Sequence, residues 1–101
     1  MTRGTTSSGF AFEFDDSRLD DMRFVDVLAV VTDETTSLAD RFAGASRLVE
    51  MLLGKEQKRA LYEHIGKKHE GRVPRAEFER CLYEIMQAGA EPVGGKDAVK
   101  N

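Results

Sequence analysis

Several residue types are scarce in this sequence, and each shortage excludes a class of structure or function. The 101 residues include one cysteine, Cys81, so no disulfide can form within the chain, which fits a reducing compartment. Tryptophan is absent, and the two histidines, His64 and His69, with one distant cysteine do not make a zinc ligand set. The longest apolar run, residues 27–31, is far shorter than the ~20 residues that cross a bilayer. No metal, cofactor or membrane is therefore expected as a partner.

Neither sign of charge dominates the chain. Its 18 acids and 15 lysines and arginines give a net charge of −3, which argues against general nucleic-acid binding because that binding depends on neutralising phosphates. The first eight residues are polar and contain no apolar secretory segment. The expectation is a soluble cytoplasmic protein. Residues 1–8 are expected to be a flexible or edge-strand start, residues 9–90 a single helical domain, and residues 91–101 a disordered tail.

The N-terminal segment has the pattern of a β-hairpin. Ser8-Gly9 supplies turn chemistry, and three phenylalanines, Phe10, Phe12 and Phe14, alternate with other residues on one face of the strand that follows. The expected partner strand is residues 3–7. Because a lone hairpin is marginal in water, the three rings are expected to pack into the core, with an exposed docking strip as the alternative.

The rest of the chain predicts about four helices. Ser17 and Asp20 have capping-box spacing for the start of the first, whose apolar residues 24–31 are expected to be nearly surrounded by protein, although a strand is the alternative for that stretch. Ser37 and Asp40 repeat the capping spacing for the second helix. Gly54 fits its C-terminal cap.

A third helix is predicted over residues 55–68, and Pro74 suits the first turn of a fourth. The pairs Arg75–Glu79 and Arg80–Glu84 are expected to form on the exposed face of the fourth helix. The predicted fold is therefore mainly α, a small bundle of about four helices with an N-terminal β-hairpin or short strand.

Catalytic signatures are not found. The serines lie mostly near the N-terminus or at helix starts, no glycine-rich phosphate loop is present, and the acidic run of residues 15–21 lacks the pattern of a calcium loop. A basic cluster at residues 67–75 fits either a solvated helix end or a contact for an acidic partner. An enzyme is not expected.

Six segments of the chain carry a more specific pattern of apolar anchors, glycine and proline: Gly9–Asp15, Leu19–Met22, Val25–Ala29, Met51–Lys58, Leu61–His64 and Glu70–Pro74. Together they resemble the tail assembly chaperones of long-tailed, siphovirus-type bacteriophages. The resemblance covers roughly residues 9–88.

This resemblance implies a helical core preceded by a small β element, and a non-enzymatic protein of the host cytoplasm that is absent from the mature virion. Such chaperones bind the tape measure protein, keep it soluble and help to recruit tail tube subunits. A long helical partner with exposed apolar faces aggregates unless those faces are covered. Tyr62, Tyr83 and Met86 lie at the margins of the predicted apolar stripes and are candidate partner contacts, with core packing as the alternative for each.

In this family, backward ribosomal slippage near the end of the reading frame often adds a domain that engages the tail tube protein. Gly94-Gly95-Lys96 is compatible with a slippery heptamer, although the same tripeptide has many other codings.

Two other classes of function remain open from sequence. One is a small helical regulator of the repressor or antitoxin type, against which the acidic charge balance counts. The other is a structural or connector subunit of the phage particle. Self-association is open in every case.

Overall fold

A computed structural model describes residues 1–90, which form a mainly helical protein with a small N-terminal two-stranded antiparallel sheet. The predicted disordered tail and the Gly94-Gly95-Lys96 slippage position lie outside these residues. The elements follow in the order β1 (Thr2–Thr5), β2 (Ala11–Phe14), a short 3₁₀ helix (Asp16–Asp20), α1 (Met22–Thr32), α2 (Leu38–Lys68) and α3 (Arg75–Ala90).

The predicted hairpin is present, with its first strand at Thr2–Thr5 rather than at residues 3–7. Its loop closes between Thr6 and Phe10, where the Thr6 amide donates to the Phe10 carbonyl at 2.8 Å. Gly9 has a φ of 100°, a conformation that glycine adopts readily, and it lies in the turn predicted at Ser8-Gly9.

All three hairpin phenylalanines are buried, with exposures of 6%, 6% and 4% for Phe10, Phe12 and Phe14. Core packing of the rings is therefore confirmed. They join one continuous core with the inward residues of the helices: Phe24, Ala45, Leu48, Val49, Leu52, Leu53, Leu61, Ile65, Phe78, Cys81, Leu82 and Ile85.

The first helix differs from its prediction in two ways. It begins at Met22 rather than near Ser17, because Asp21 is the N-cap and accepts a hydrogen bond from the Arg23 amide at 2.8 Å. It is also far from surrounded: Phe24 is its one buried residue, and Val25 and Val30 are about two-fifths exposed, at 40% and 41%. The strand alternative for residues 24–31 is wrong. α1 packs chiefly on α2, which covers a single side of it.

The structure has three helices where the sequence predicts about four, and the difference lies at Gly54. The predicted second and third helices are the two limbs of α2, which are continuous except at this residue. Gly54 has φ 86° and ψ 168°, a conformation that is essentially restricted to glycine.

The two limbs of α2 fold back on each other at this residue. Contacts join residues equally far on either side of it: Lys58 Nζ lies 3.3 Å from Glu50 Oε1, and Tyr62 Oη lies 3.3 Å from Ser46 Oγ. The predicted break at Gly54 is therefore present as a reversal of the chain.

Gln57 connects this reversal to the hairpin. Its side-chain amide donates to the Leu53 carbonyl at 2.9 Å and to the Glu13 carbonyl at 2.7 Å. Its Oε1 accepts from the Glu13 amide at 2.9 Å. One side chain therefore pairs with the outer edge of β2 and also with a carbonyl beside the reversal.

Replacing Gly54 with alanine should lower the free energy of unfolding by about 1–3 kcal/mol, because L-residues disfavour this backbone conformation. Apart from the adjoining residues and the neighbouring helix backbone, no atom lies within 4 Å of the position of the added Cβ, so the loss would come from the backbone conformation and not from a clash with a packed neighbour. Urea denaturation measures it. Lys55→Ala, at the exposed neighbouring position, is the control and should change stability by no more than about 0.5 kcal/mol. Equal stability of the two variants would contradict a glycine-dependent reversal.

Candidate partner-binding groove

An apolar groove of about 500 Å³ lies between α1, the first limb of α2 and α3. Buried residues of α2 and α3 form its floor. Its apolar lining consists of Leu28 and Val31 from α1, Leu38, Phe42, Ala45 and Leu48 from α2, and Leu82, Tyr83 and Met86 from α3.

Burial decreases steadily from the floor of the groove to its rim. Leu48 is fully buried and Leu82 is 6% exposed, whereas Leu38 and Tyr83 at the rim are 61% and 62% exposed. In a complete helical bundle, another helix covers large apolar side chains at positions like those of Leu38 and Tyr83. The groove therefore has the shape of a bundle that lacks one helix, and an amphipathic helix from another molecule is the ligand that fits such a surface.

Local contacts between α1 and α2 set the width of the groove. Ser37 caps α2, as predicted, by accepting a hydrogen bond from the Asp40 amide at 3.1 Å. At Gly44 the two helices approach so closely that an added Cβ would lie 2.7 Å from Val31 Cγ2. In the connection between them, Asp33 accepts hydrogen bonds from the Thr35 hydroxyl and amide, which lower the pKa of its carboxyl.

Two arginines and one glutamate are the charged residues of the groove. Arg75 lies over the Phe42 ring, 4.6 Å from its centroid, and forms the predicted ion pair with Glu79 at 2.9 Å. Arg41 donates from Nε to the Val31 carbonyl at 3.3 Å, which holds its side chain at the end of the groove where α1 ends and α2 begins.

The structure brings together two of the three residues predicted to contact a partner. Tyr83 and Met86 both line the groove on α3. Tyr62 lies outside it, packed against Phe78 with ring centroids 5.5 Å apart. Leu38 and Phe42 are not predicted as partner contacts from the sequence, because their helical spacing groups them with the buried residues of α2 and gives no sign that this end of the apolar stripe is uncovered.

A second cluster of polar side chains lies where the hairpin tip meets α2 and α3. Ser8 Oγ lies 3.3 Å from His64 Nε2 and 3.9 Å from Cys81 Sγ. The same His64 nitrogen lies 3.1 Å from the Ser8 carbonyl, which can only accept, so Nε2 carries the proton. It therefore cannot act as a base toward the Ser8 hydroxyl. Burial raises the pKa of the Cys81 thiol, which disfavours a reactive thiolate.

Glu84 attaches the hairpin to α3. The Ser7 hydroxyl and amide both donate to its carboxylate at 2.7 Å, and these bonds lower the pKa of Glu84. The predicted Arg80–Glu84 pair is therefore wrong, since Arg80 pairs with Glu77 one turn earlier. The Glu84 carboxylate binds Ser7 instead of Arg80 because the Ser7 hydroxyl and amide both donate hydrogen bonds to it.

Within residues 1–90, no group of three or more histidine, cysteine, aspartate or glutamate side chains is placed to hold a metal ion. Across the same range, each helix is too short or too polar to span a membrane.

Acidification should weaken the attachment of the hairpin to α3. Because the pKa of Glu84 is lowered in the folded state, its contribution to stability is present above its ordinary value of 4.5 and is lost as the pH falls through the folded value. Glu84→Gln should therefore be less stable than the parent protein at pH 7, and the difference should shrink toward pH 3. Denaturation midpoints at both pH values test this, with Glu56→Gln, at an exposed position of α2, as the control. A difference that stays constant with pH would refute it.

The geometry of the groove is the main guide to function. A scan against protein-family models, a search of curated proteins and a search of solved structures each found no match.

Proposed function

We propose that this chain is a tail assembly chaperone of a long-tailed bacteriophage whose groove binds a helical segment of the tape measure protein. The observation that carries the proposal is the open groove, which three helices line with apolar side chains and at whose rim Leu38 and Tyr83 stay 61% and 62% exposed within residues 1–90. The resemblance of residues 9–88 to tail assembly chaperones supports the choice of this family.

The physical task of such a chaperone matches the groove. A tape measure protein is long and rich in helices with apolar faces, and a groove between three helices covers one such face with apolar contacts on three sides. Each contact site need bind only weakly, because many copies along one chain give a large combined effect.

The proposal has two further parts. The chaperone acts in the host cytoplasm, leaves as tail tube subunits assemble around the tape measure protein, and is absent from the mature virion. A frameshift-extended form made at Gly94-Gly95-Lys96 supplies the contact with the tail tube protein.

Co-expression with the tape measure protein of the same gene cluster should keep that partner soluble and allow the two to purify together. Tyr83→Ala should weaken this binding by about tenfold, because it removes a large apolar contact at the rim of the groove. Tyr62→Ala is a matched control, since it makes the same change outside the groove and should leave binding intact. Thermal melts of both variants establish that they remain folded.

Two results would count against this function. One is a tape measure protein that is equally insoluble with and without this chain. The other is detection of the chain by mass spectrometry in purified virions, which would favour a structural subunit instead.

A further inference from the structure

Arg41 places a positive charge in the groove that the described part of the chain does not pair. Within residues 1–90, no carboxylate oxygen lies within 4.0 Å of its guanidinium. Within residues 1–90 its guanidinium makes one hydrogen bond, from Nε to the Val31 carbonyl, so both terminal nitrogens still have hydrogen atoms to donate to a ligand in the groove that Arg41 lines. A guanidinium fixed through Nε has the geometry that binds a carboxylate with two parallel hydrogen bonds.

The other charged residues of the groove, Arg75 and Glu79, do not pair with Arg41. Arg75 is paired with Glu79, so the groove carries a local excess of one positive charge although the whole chain has a net charge of −3. The charge of Arg41 helps to lower the pKa of Asp33, but within residues 1–90 neither carboxylate oxygen of Asp33 lies within 4.0 Å of the guanidinium.

We infer that the occupant of the groove is an amphipathic helix with a carboxylate side chain beside its apolar stripe, and that Arg41 binds this carboxylate. This inference rests on the proposed function for the identity of the partner and names the chemistry by which it is selected. Arg41 lies at one end of the groove, near Val31 and Leu38, so the carboxylate also fixes which end of the helix lies there.

The pairing of Arg41 with a carboxylate affects binding because a helix in the groove removes water from the guanidinium. A bound helix displaces water from Arg41, so an uncharged or basic side chain at that point would leave a guanidinium desolvated and unpaired. The groove therefore discriminates among apolar helices that would otherwise bind equally well. Segments of a long helical partner that lack the acid should be bypassed.

The experiment uses synthetic amphipathic peptides of about 20 residues, long enough to be helical, with leucines at i, i+3, i+4 and i+7. Two peptides differ only in one residue beside the stripe, which is glutamate in the first and lysine in the second. The parent protein should bind the glutamate peptide at least about tenfold more tightly than the lysine peptide, as measured by fluorescence anisotropy. High salt should reduce this preference.

Substitutions in the protein assign the preference to Arg41. Arg41→Gln should abolish it, Arg41→Glu should reverse it, and Arg41→Lys should retain part of it, because a lysine keeps the charge without the two parallel bonds. Arg47→Gln is the matched control, since Arg47 is exposed on α2 and lies outside the groove. If thermal melts show that Arg41→Gln is poorly folded, Arg41→Lys still tests whether Arg41 causes the preference for the glutamate peptide.

The outcomes separate this inference from the proposed function. Equal binding of both peptides by the parent protein would overturn the inference, while co-purification with the tape measure protein would still stand. A clear glutamate preference without any binding of the tape measure protein would support the groove chemistry and refute the proposed partner. Concentration-dependent self-association that Arg41→Glu removes would show that a second copy of the chain occupies the groove, and would overturn the inference.

Discussion

At Gly54 the chain turns back on itself in a conformation that glycine alone adopts readily, and the packing of most other elements depends on this reversal. A straight helix over Leu38–Lys68 would be about 46 Å long, since each residue adds about 1.5 Å. The reversal instead brings Leu48 and Leu52 of the first limb into one buried cluster with Leu61 and Ile65 of the second. The hairpin rings and α3 then complete this cluster.

The groove is a consequence of how the remaining elements are distributed around that reversal. The hairpin and α3 add their buried side chains to the same core, and α1 is left with a single side packed on the first limb. The first limb is therefore covered incompletely: Leu38 is 61% exposed, and Phe42 is half-buried with Arg75 of α3 over its ring. Apolar surface left open at such a position costs solubility unless it binds something, which is why the groove and not the polar cluster at Ser8 is the candidate site.

Local signals in the sequence predicted the features that local chemistry decides. The Ser37 cap, the turn at Gly9, the break at Gly54 and the inward phenylalanines all follow from residue type and spacing. Features that depend on residues far away in the sequence were not predicted. The apolar stretch of α1 was expected to be buried, but composition does not say whether this chain or another covers a face. Glu84 was assigned to Arg80, four residues away, although its partner Ser7 is 77 residues away.

The attachment of the hairpin also has a consequence for the order in which the chain folds. The hairpin is synthesised before the residues to which its tip binds, which are His64 and Lys68 of α2 and Glu84 of α3. A hairpin of this size is marginal by itself, so its three phenylalanines stay exposed while the rest of the chain is being made. We expect docking of the hairpin to be a late step, because the contact between Ser7 and Glu84 spans 77 residues and the long loop must close before it forms. A protein proposed to protect the apolar faces of another chain thus passes through a stage in which its own aromatic face is unprotected.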